Sequence, residues 1–292
     1  MIDRLVILGA NGDLASRHLL PALAHLLSHG DLPATLSIVG VGREPLTTHN
    51  YRDLAAAGLA EHAADVTLSD RVGLVGRLDY LQADLERSAD LGRALGKSPV
   101  IAYLALPPSV YAPAVHALQA GGIALGSRIV VEKPFGENVA SARELSRLLQ
   151  TVVNEQDVFR VDHFLYHQAV QDLLALRFAN PFFEPLWHGD HLERVEITWE
   201  ETAGVAGRAD FYDRIGALRD MVQSHLLQVL ALVAMEPPAR FEERCLRDAK
   251  VTALRRVQAL SRDAVATHTA RGRYTAGTFQ GKPLRGYLAL RI

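Results

Sequence analysis

Short apolar runs rich in β-branched residues alternate with helix-period stretches along the first half of the chain. In sequence order, these runs read RLVIL, LSIVGV, VIAYLAL, RIVVE and VFRVD. Strands that alternate with helices are typical of a parallel sheet with helices on both faces. The pattern therefore predicts an α/β fold whose first domain, residues 1–162, is a doubly wound parallel sheet.

The first helical stretch has an apolar stripe and a signal for its C-terminal end. Five leucines recur at helical spacing, at positions Leu19, Leu20, Leu23, Leu26 and Leu27. Gly30 follows where a C-terminal cap belongs, because glycine readily adopts the left-handed conformation that ends many helices. We expect a helix that ends just before Gly30.

The pattern changes after Asp162. SHLLQVLALVAM, Ser224–Met235, is apolar on nearly all sides and predicts a buried helix. ERVEITWEE alternates apolar and polar residues from Val195 to Trp199, as in an antiparallel strand with one buried face. Only RGRYTAGTF offers another extended run, and fewer than three strands rarely hold a sheet. Residues 163–292 are therefore predicted to form a truncated α+β domain whose apolar strand face lacks cover.

Composition narrows the function classes. The chain has 292 residues, 49% hydrophobic and 22% charged, which suits a globular protein of two packed domains. A formal net charge of −2 gives no reason to expect nucleic acid or a membrane surface as a partner. The single cysteine, Cys245, excludes an intrachain disulfide and a cysteine-based metal cluster. No apolar run approaches the roughly 20 residues that cross a bilayer, so we expect a cytoplasmic protein.

A glycine turn in LVILGANGDLASRHLLPAL places Gly9 and Gly12 between a strand and a helix. Such a turn points backbone N–H groups at a pyrophosphate. The form G-x-x-G-x-x-A differs from G-x-G-x-x-G, so a dinucleotide site and a plain tight turn both stay open. Arg43, after the second strand, favours the 2′-phosphate of NADP, although a solvated arginine or a ribose contact from Glu44 are alternatives.

Ionisable residues cluster in RVDHFLYHQ, residues 160–168. Spacing alone leaves Asp162, His163 and His167 catalytic, ligand-binding or inert. Taken singly, His225 in an apolar helix is more often a core histidine than a functional one. On an α-helix, Asp220 and Ser224 would share a face, with His225 about 100° round from Ser224, so one pocket could receive several of these side chains.

Six blocks extend in order over nearly the whole chain: GANGDLASRHLLPAL, YLALPPSVY, RIVVEKPFGENVASAREL, FRVDHFLYHQAVQDLLALRFANPFFEPLW, GRADFYDRIGALRDMVQSHLLQVLALVAMEPP and GRYTAGTFQGKPLRGY. Together they resemble the glucose-6-phosphate dehydrogenase family. The resemblance implies a Rossmann-type NADP-binding domain followed by a substrate and dimerisation domain. It also implies the reaction of the pentose phosphate pathway in which glucose 6-phosphate and NADP⁺ give 6-phosphogluconolactone and NADPH.

The resemblance assigns catalytic roles to three residues. It implies that His225 is the general base for the C1 hydroxyl, that Asp162 orients this base, and that Lys133 lies where substrate and nicotinamide meet. The Lys133–Pro134 bond resembles one that the family keeps cis. The chemistry is consistent, because a histidine suits proton transfer near neutral pH and a carboxylate fixes its tautomer. No metal is required.

Binding roles follow from the same resemblance. The residues that it implies for the sugar phosphate are His163, His167, Glu201, Asp220 and Lys133. Those that it implies for NADP are Gly9, Gly12, Asp13, Leu14, Arg43, Pro107 and Lys133. Without the resemblance, Glu201 reads as a solvated strand-end charge and Lys133 as a surface lysine.

Two departures from the family pattern weaken the expectation of full activity. RVDHFLYHQ replaces R-I-D-H-Y-L-G-K-E, so Phe164 lacks a phenol and His167 exchanges a fixed positive charge for one that is lost near neutral pH. We therefore expect a weaker phosphate subsite, and a different sugar as substrate stays an alternative.

Family members also continue beyond KPLRGY with most of a large antiparallel sheet and the dimer surface. We expect a shortened member or a fragment with weakened homo-oligomerisation, either an active dehydrogenase or a weak or inactive dinucleotide-binding module.

Overall fold

The computed structural model of the protein describes residues 2–85, 91–136, 138–199 and 215–270, together with two short strands at 278–279 and 282–283. The chain divides into two compact units, Met1–Val161 and Asp162–Ile292. None of the helices in these described ranges is both long and apolar enough to cross a membrane.

The first unit is built on a six-stranded sheet. Its strands are β1 Arg4–Leu8, β2 Ser37–Gly42, β3 Leu78–Gln82, β4 Ile101–Leu104, β5 Arg128–Glu132 and β6 Val158–Val161. They lie in the order β3-β2-β1-β4-β5-β6, and every pair is parallel. The predicted parallel sheet is confirmed. In this order the winding reverses between β1 and β4, where ligands of open α/β sheets bind beyond the carboxyl ends of the strands.

Helices cover both faces of the sheet. They are α1 Leu20–Ser28, α2 Thr48–His62, α3 Leu68–Gly76, α4 Gly92–Leu95, α5 Tyr111–Ala120 and α6 Val139–Gln150. Successive side chains of β1 enter different cores, because Val6 and Leu8 belong to one apolar cluster while Leu5 and Ile7 belong to another. The doubly wound arrangement thus follows from strands that are apolar on both faces.

The first helix begins with a π-helical turn, Ala15–Leu19, and ends as predicted. Gly30 has a φ of 77°, and its N–H donates to the Leu27 carbonyl at 3.0 Å. The Asp31 N–H donates to the Leu26 carbonyl at 2.9 Å, which completes a Schellman cap. Leu20 of the leucine stripe is buried, whereas the side chain of Leu26 is exposed at the last turn.

The second unit is mainly helical where it is described. Its helices are α7 Gln168–Phe178, α8 Leu227–Ala234, α9 Glu243–Arg255 and α10 Arg262–His268, with a π-helical segment at Leu218–Leu226. A small core forms around Val170, Leu232 and Met235. The helix predicted from Ser224 to Met235 is present, but several of its apolar side chains are only half-buried. The expected full burial of this helix is therefore wrong.

The antiparallel strand predicted from Val195 to Trp199 is also wrong. These residues pair with no strand among those described, and the side chains of Val195 and Trp199 are exposed. Alternating polarity fits a strand only when a neighbour supplies backbone partners. The two short strands, β7 Thr278–Phe279 and β8 Lys282–Pro283, pair antiparallel with each other over two residues each.

Candidate active site

The turn after β1 requires glycine. Gly9 has a φ of 86°, and a Cβ at this position would lie 2.3 Å from the Ala105 carbonyl oxygen. The Gly12 N–H donates to the Gly9 carbonyl at 3.0 Å, which keeps the turn tight before the helix begins. The Ala105 backbone, one residue after β4, thus passes directly against the turn at the reversal point of the sheet.

A cleft of about 240 Å³ opens at the carboxyl ends of β1, β2 and β4. Four of the predicted cofactor residues line it: Gly9, Gly12, Arg43 and Pro107. Asp13 and Leu14 lie outside the lining, and the Asp13 carboxylate is exposed, 3.7 Å from the Arg17 guanidinium. Glu44, the alternative ribose contact named from the sequence, also lines the cleft, and two polar lining residues were missed from the sequence: Asn11 and Asp84.

Hydrogen bonds from two side chains hold the backbone of the loop at the cleft rim. The Gln82 amide donates to the Arg43 carbonyl at 3.1 Å, and the Tyr80 hydroxyl donates to the Glu44 carbonyl at 2.9 Å. The side chains of both loop residues are exposed. A cation and an anion therefore stand side by side where a dinucleotide presents its ribose.

A buried histidine–carboxylate pair lies in the second unit. Asp162 directly follows β6, and its Oδ1 lies 2.9 Å from His225 Nδ1. His225 is 4% and Asp162 9% exposed. The Phe164 backbone N–H donates to the same Oδ1 at 3.1 Å. Because an ionised carboxylate only accepts hydrogen bonds, Nδ1 of His225 is the donor, and Nε2 of the neutral ring is left to accept a proton.

Aromatic rings surround the histidine of this pair. The Phe164 ring stacks on the His225 imidazole with centroids 4.4 Å apart, and His163 approaches it edge-on at 4.9 Å. Trp199 in turn packs on Phe164 at 4.6 Å. These rings limit rotation of the imidazole and lower the local dielectric, which strengthens its hydrogen bond to Asp162.

Two family models together match almost the whole chain. The glucose-6-phosphate dehydrogenase NAD binding domain matches residues 6–172, and the C-terminal domain of the same enzyme matches residues 174–291. The chain belongs to the glucose-6-phosphate dehydrogenase family. This membership confirms the resemblance drawn from the six sequence blocks.

Named relatives agree with the family models. The chain is 40% identical over 97% of its length to glucose-6-phosphate 1-dehydrogenase of Rhizobium meliloti and 38% identical over 98% to that of Zymomonas mobilis. It is similar to the crystal structure of the Mycobacterium avium enzyme, with a TM-score of 0.84 and 38% identity over 94% of the chain. A glucose-6-phosphate dehydrogenase in complex with its substrate glucose 6-phosphate gives a TM-score of 0.83 at 29% identity over 97% of the chain. The chain spans 60% and 61% of the two curated relatives, and 60% and 61% of the two solved chains.

The other residues implied by membership of the glucose-6-phosphate dehydrogenase family are spread over both units. His163 is exposed, and one of its ring nitrogens lies within 4.8 Å of a carboxylate oxygen of Asp162 and of a ring nitrogen of His225. His167 is exposed and packs against Phe164 at 5.1 Å. In the first unit, Lys133 follows β5, is half-buried and precedes Pro134 through a cis bond, as the resemblance implies. Glu201 lies outside the described residues.

The helical segment that carries His225 differs from the expected geometry. Leu218–Leu226 is π-helical, and the Ser224 hydroxyl donates to the Arg219 carbonyl five residues earlier at 2.8 Å. The segment is therefore not the regular α-helix that was assumed for Asp220 and Ser224. Residues four apart still lie close to one face when a turn holds slightly more than four residues, so the shared face of these two side chains stays a prediction. Segments of this kind are frequent at functional sites.

One polar residue that contacts the helix following His225 was missed from the sequence. Lys250, on α9, donates from Nζ to the Gln228 side-chain oxygen at 2.9 Å, and Gln228 stands three residues after His225. Burial lowers the pKa of Lys250, while the negative charge of Asp162 opposes that shift. A single lysine on an amphipathic helix carries no sequence signal that distinguishes it from a surface lysine.

Proposed function

We propose that this chain oxidises glucose 6-phosphate at C1 with NADP⁺, and that Asp162 and His225 are the dyad that removes the proton. The observation that carries the proposal is the buried 2.9 Å contact between His225 Nδ1 and Asp162 Oδ1 in a chain of this family. The dyad leaves His225 Nε2 as an acceptor. The same geometry is what a general base for a sugar hydroxyl requires.

We further propose that residues 1–162 bind NADP and residues 163–292 contribute the substrate side. The fit rests on the cleft at the reversal point of the sheet and on the exposed Arg43 at its rim. It also rests on the turn at Gly9, where the Ala105 backbone leaves no room for a side chain. NADP⁺ would supply the hydride acceptor. Gly9 and Gly12 would let the backbone approach the pyrophosphate, and Arg43 would pair with the 2′-phosphate.

In this proposal, the dyad accepts the proton that the C1 hydroxyl of the sugar loses. His225 Nε2 takes the proton from the C1 hydroxyl as the C1–H bond breaks, and the C1 oxygen becomes the lactone carbonyl. Asp162 stabilises the resulting imidazolium through the Nδ1–H bond and keeps the ring in one orientation. His163 and His167 would contact the phosphate from the exposed side of the site, and Lys133 and Asp220 would contact the sugar.

The test is NADPH formation by the purified chain with glucose 6-phosphate and NADP⁺. We expect wild-type turnover, and a loss of about 10²–10⁴-fold in kcat for His225→Asn, since that is the usual contribution of a general base. NADP⁺ affinity and melting temperature should stay at wild-type values. A His225→Asn chain with wild-type kcat contradicts the proposal.

A second function is favoured by the substitutions at the phosphate subsite. Phe164 and His167 stand where the family pattern has a phenol and a lysine, and both therefore reduce the fixed polar contacts to a phosphate. Tight NADP⁺ binding by the wild-type chain without NADPH formation would identify a dinucleotide-binding module.

A further inference from the structure

Two histidines and one carboxylate at the proposed dyad bring three metal-ligating side chains together. One donor atom from each of Asp162, His163 and His225 can be chosen so that all three atoms lie within 4.8 Å of one another. Within the described ranges, no other group of three histidine, cysteine, aspartate or glutamate side chains brings its donor atoms this close together. These three residues, the His–Asp cluster, all belong to the second compact unit.

The spacing in the His–Asp cluster needs only a small adjustment to fit a tetrahedral ion. Zinc binds imidazole nitrogens and carboxylate oxygens at about 2.0–2.2 Å, which places neighbouring ligands of a tetrahedron about 3.3–3.6 Å apart. His225 Nδ1 and Asp162 Oδ1 are already 2.9 Å apart. The His163 ring meets the His225 ring edge-on, with centroids 4.9 Å apart. Because His163 is exposed, rotation of its side chain can close the remaining separation.

The donor types favour zinc over the common hard cations. Imidazole nitrogens suit zinc and similar transition ions, whereas magnesium and calcium prefer oxygen ligands. Burial adds to the attraction, because the Asp162 carboxylate is only 9% exposed and a bound cation neutralises its charge. The His–Asp cluster therefore has the chemistry of a zinc site.

His167 makes the surroundings of the His–Asp cluster more favourable for a cation. It stands where the family pattern has a lysine, and its ring centroid lies 6.4 Å from that of His163. A lysine would place a fixed positive charge beside the donors and repel a divalent ion, whereas a neutral imidazole does not. This chain thus lacks a charge that would oppose metal binding.

We propose that the His–Asp cluster binds one zinc-type divalent cation and that this ion disables the dyad. Binding needs only the geometry of the three side chains, while the inhibition rests on the proposed function of His225. An ion on Nε2 occupies the lone pair that would accept the proton. An ion on Nδ1 replaces the N–H bond to Asp162 and leaves the proton on Nε2. In both arrangements the general base is lost while the ion is bound.

The experiment measures the Zn²⁺ affinity of the full purified chain by competition with a chromophoric chelator. We expect the wild-type chain to bind one Zn²⁺ more tightly than its other histidines do. His163→Gln removes one exposed ligand and should weaken this binding by at least about 10-fold, because even the loss of a residue that only orients a ligand costs about 10–100-fold. His167→Lys restores the charge of the family pattern and should weaken it by about 3–10-fold.

Two control variants test whether the ion binds elsewhere. His188→Gln is the matched control, since it removes an exposed histidine whose Nδ1 lies 3.1 Å from Asp190 Oδ2. Cys245→Ser removes the one thiol of the chain. Both variants should keep the wild-type Zn²⁺ affinity. Equal affinity in the wild type and His163→Gln overturns the inference, as does displacement of the bound Zn²⁺ by an equal concentration of Mg²⁺.

The binding readout does not depend on turnover, so it separates this inference from the proposed function. Zinc binding that His163→Gln weakens supports the inference even if the chain forms no NADPH. If the wild-type chain does form NADPH, one bound Zn²⁺ should abolish the reaction and a chelator should restore it. Undiminished turnover by the zinc-loaded chain overturns the claim that the ion disables the dyad.

Discussion

Two contacts hold the imidazole of His225, one at a ring nitrogen and one on the face of the ring. The Asp162 carboxylate fixes one ring nitrogen at 2.9 Å, while the Phe164 ring stacks on its face with an interplanar angle of 28°. The first contact sets the tautomer, and the second sets the orientation of the ring plane. Phe164 thus has a packing role at this site, between the His225 imidazole and the Trp199 ring.

Replacement of Phe164 by leucine should loosen the imidazole without changing its charge. We expect kcat to fall about 2–10-fold, the equivalent of the roughly 0.5–1.5 kcal/mol of an aromatic pair. Steady-state kinetics with saturating glucose 6-phosphate measure the effect. Phe178→Leu, which alters a ring in contact with Phe241 instead, is the matched control and should leave kcat unchanged. Equal losses in the two variants contradict the role of Phe164.

Residue spacing alone could not predict that Asp162 and His225 form a pair. Asp162 and His225 are 63 positions apart, and only the family resemblance linked them in the sequence. Their assigned roles stay a prediction until the variants are measured. Lys250 escaped both the residue patterns and the resemblance, because its position depends on how α9 packs beside Gln228.

At the scale of elements, the turn from β1 into the first helix tolerates little change. A side chain at Gly9 meets the Ala105 backbone, which belongs to the strand connection next to it. Backbone atoms of a central strand connection cannot move aside as a flexible side chain can. The turn and the cleft therefore depend on the same glycine.

Gly9→Ala should weaken both stability and cofactor binding. We expect a loss of more than about 2 kcal/mol in the free energy of unfolding, from the positive φ and the clash. NADP⁺ affinity should fall in parallel. Urea unfolding and a fluorescence titration with NADP⁺ measure the two quantities. Gly76→Ala, at the end of α3 with open space around it, is the control and should leave both unchanged or slightly improved. A Gly9→Ala chain with wild-type stability refutes this account of the turn.

The strands show what an apolar pattern can and cannot predict. The five runs with β-branched residues all became strands, because a central parallel strand is apolar on both faces. LDYLQ was missed: β3 is an edge strand that fully buries only Leu78 and exposes Asp79 to pair with Arg52 at 3.5 Å. The run from Val195 to Trp199 has the alternation of a strand, yet polarity cannot indicate whether a partner strand is present.

At the scale of the whole molecule, buried tyrosines make the first unit sensitive to alkali. Tyr51 and Tyr111 lie in the apolar clusters on opposite faces of the sheet, and burial raises the pKa of each phenol. The pKa of Tyr111 rises to about 12, and its hydroxyl donates to the Glu132 carbonyl at 2.7 Å. Burial also raises the pKa of Tyr103.

Stability should therefore fall above about pH 10. The unfolded chain releases the phenol protons near pH 10 while the folded chain retains them, so alkali favours unfolding. The contribution of Tyr111 is complete below pH 10 and is lost as the pH rises toward 12, on the order of 2–3 kcal/mol. Urea midpoints at several pH values measure it. Tyr111→Phe should flatten the dependence and Tyr166→Phe, at an exposed position, should not. Equal slopes for wild type and Tyr111→Phe contradict the assignment.

The central claim is that this chain itself carries hydride transfer from C1 of the sugar to NADP⁺. The most direct measurement uses glucose 6-phosphate deuterated at C1 and follows the mass of the nicotinamide cofactor after incubation with the wild-type chain. The account predicts NADPH heavier by one deuterium, and no such product with His225→Asn. Bound NADP⁺ that stays unreduced in the wild-type chain, with the deuterium still on the sugar, would contradict it.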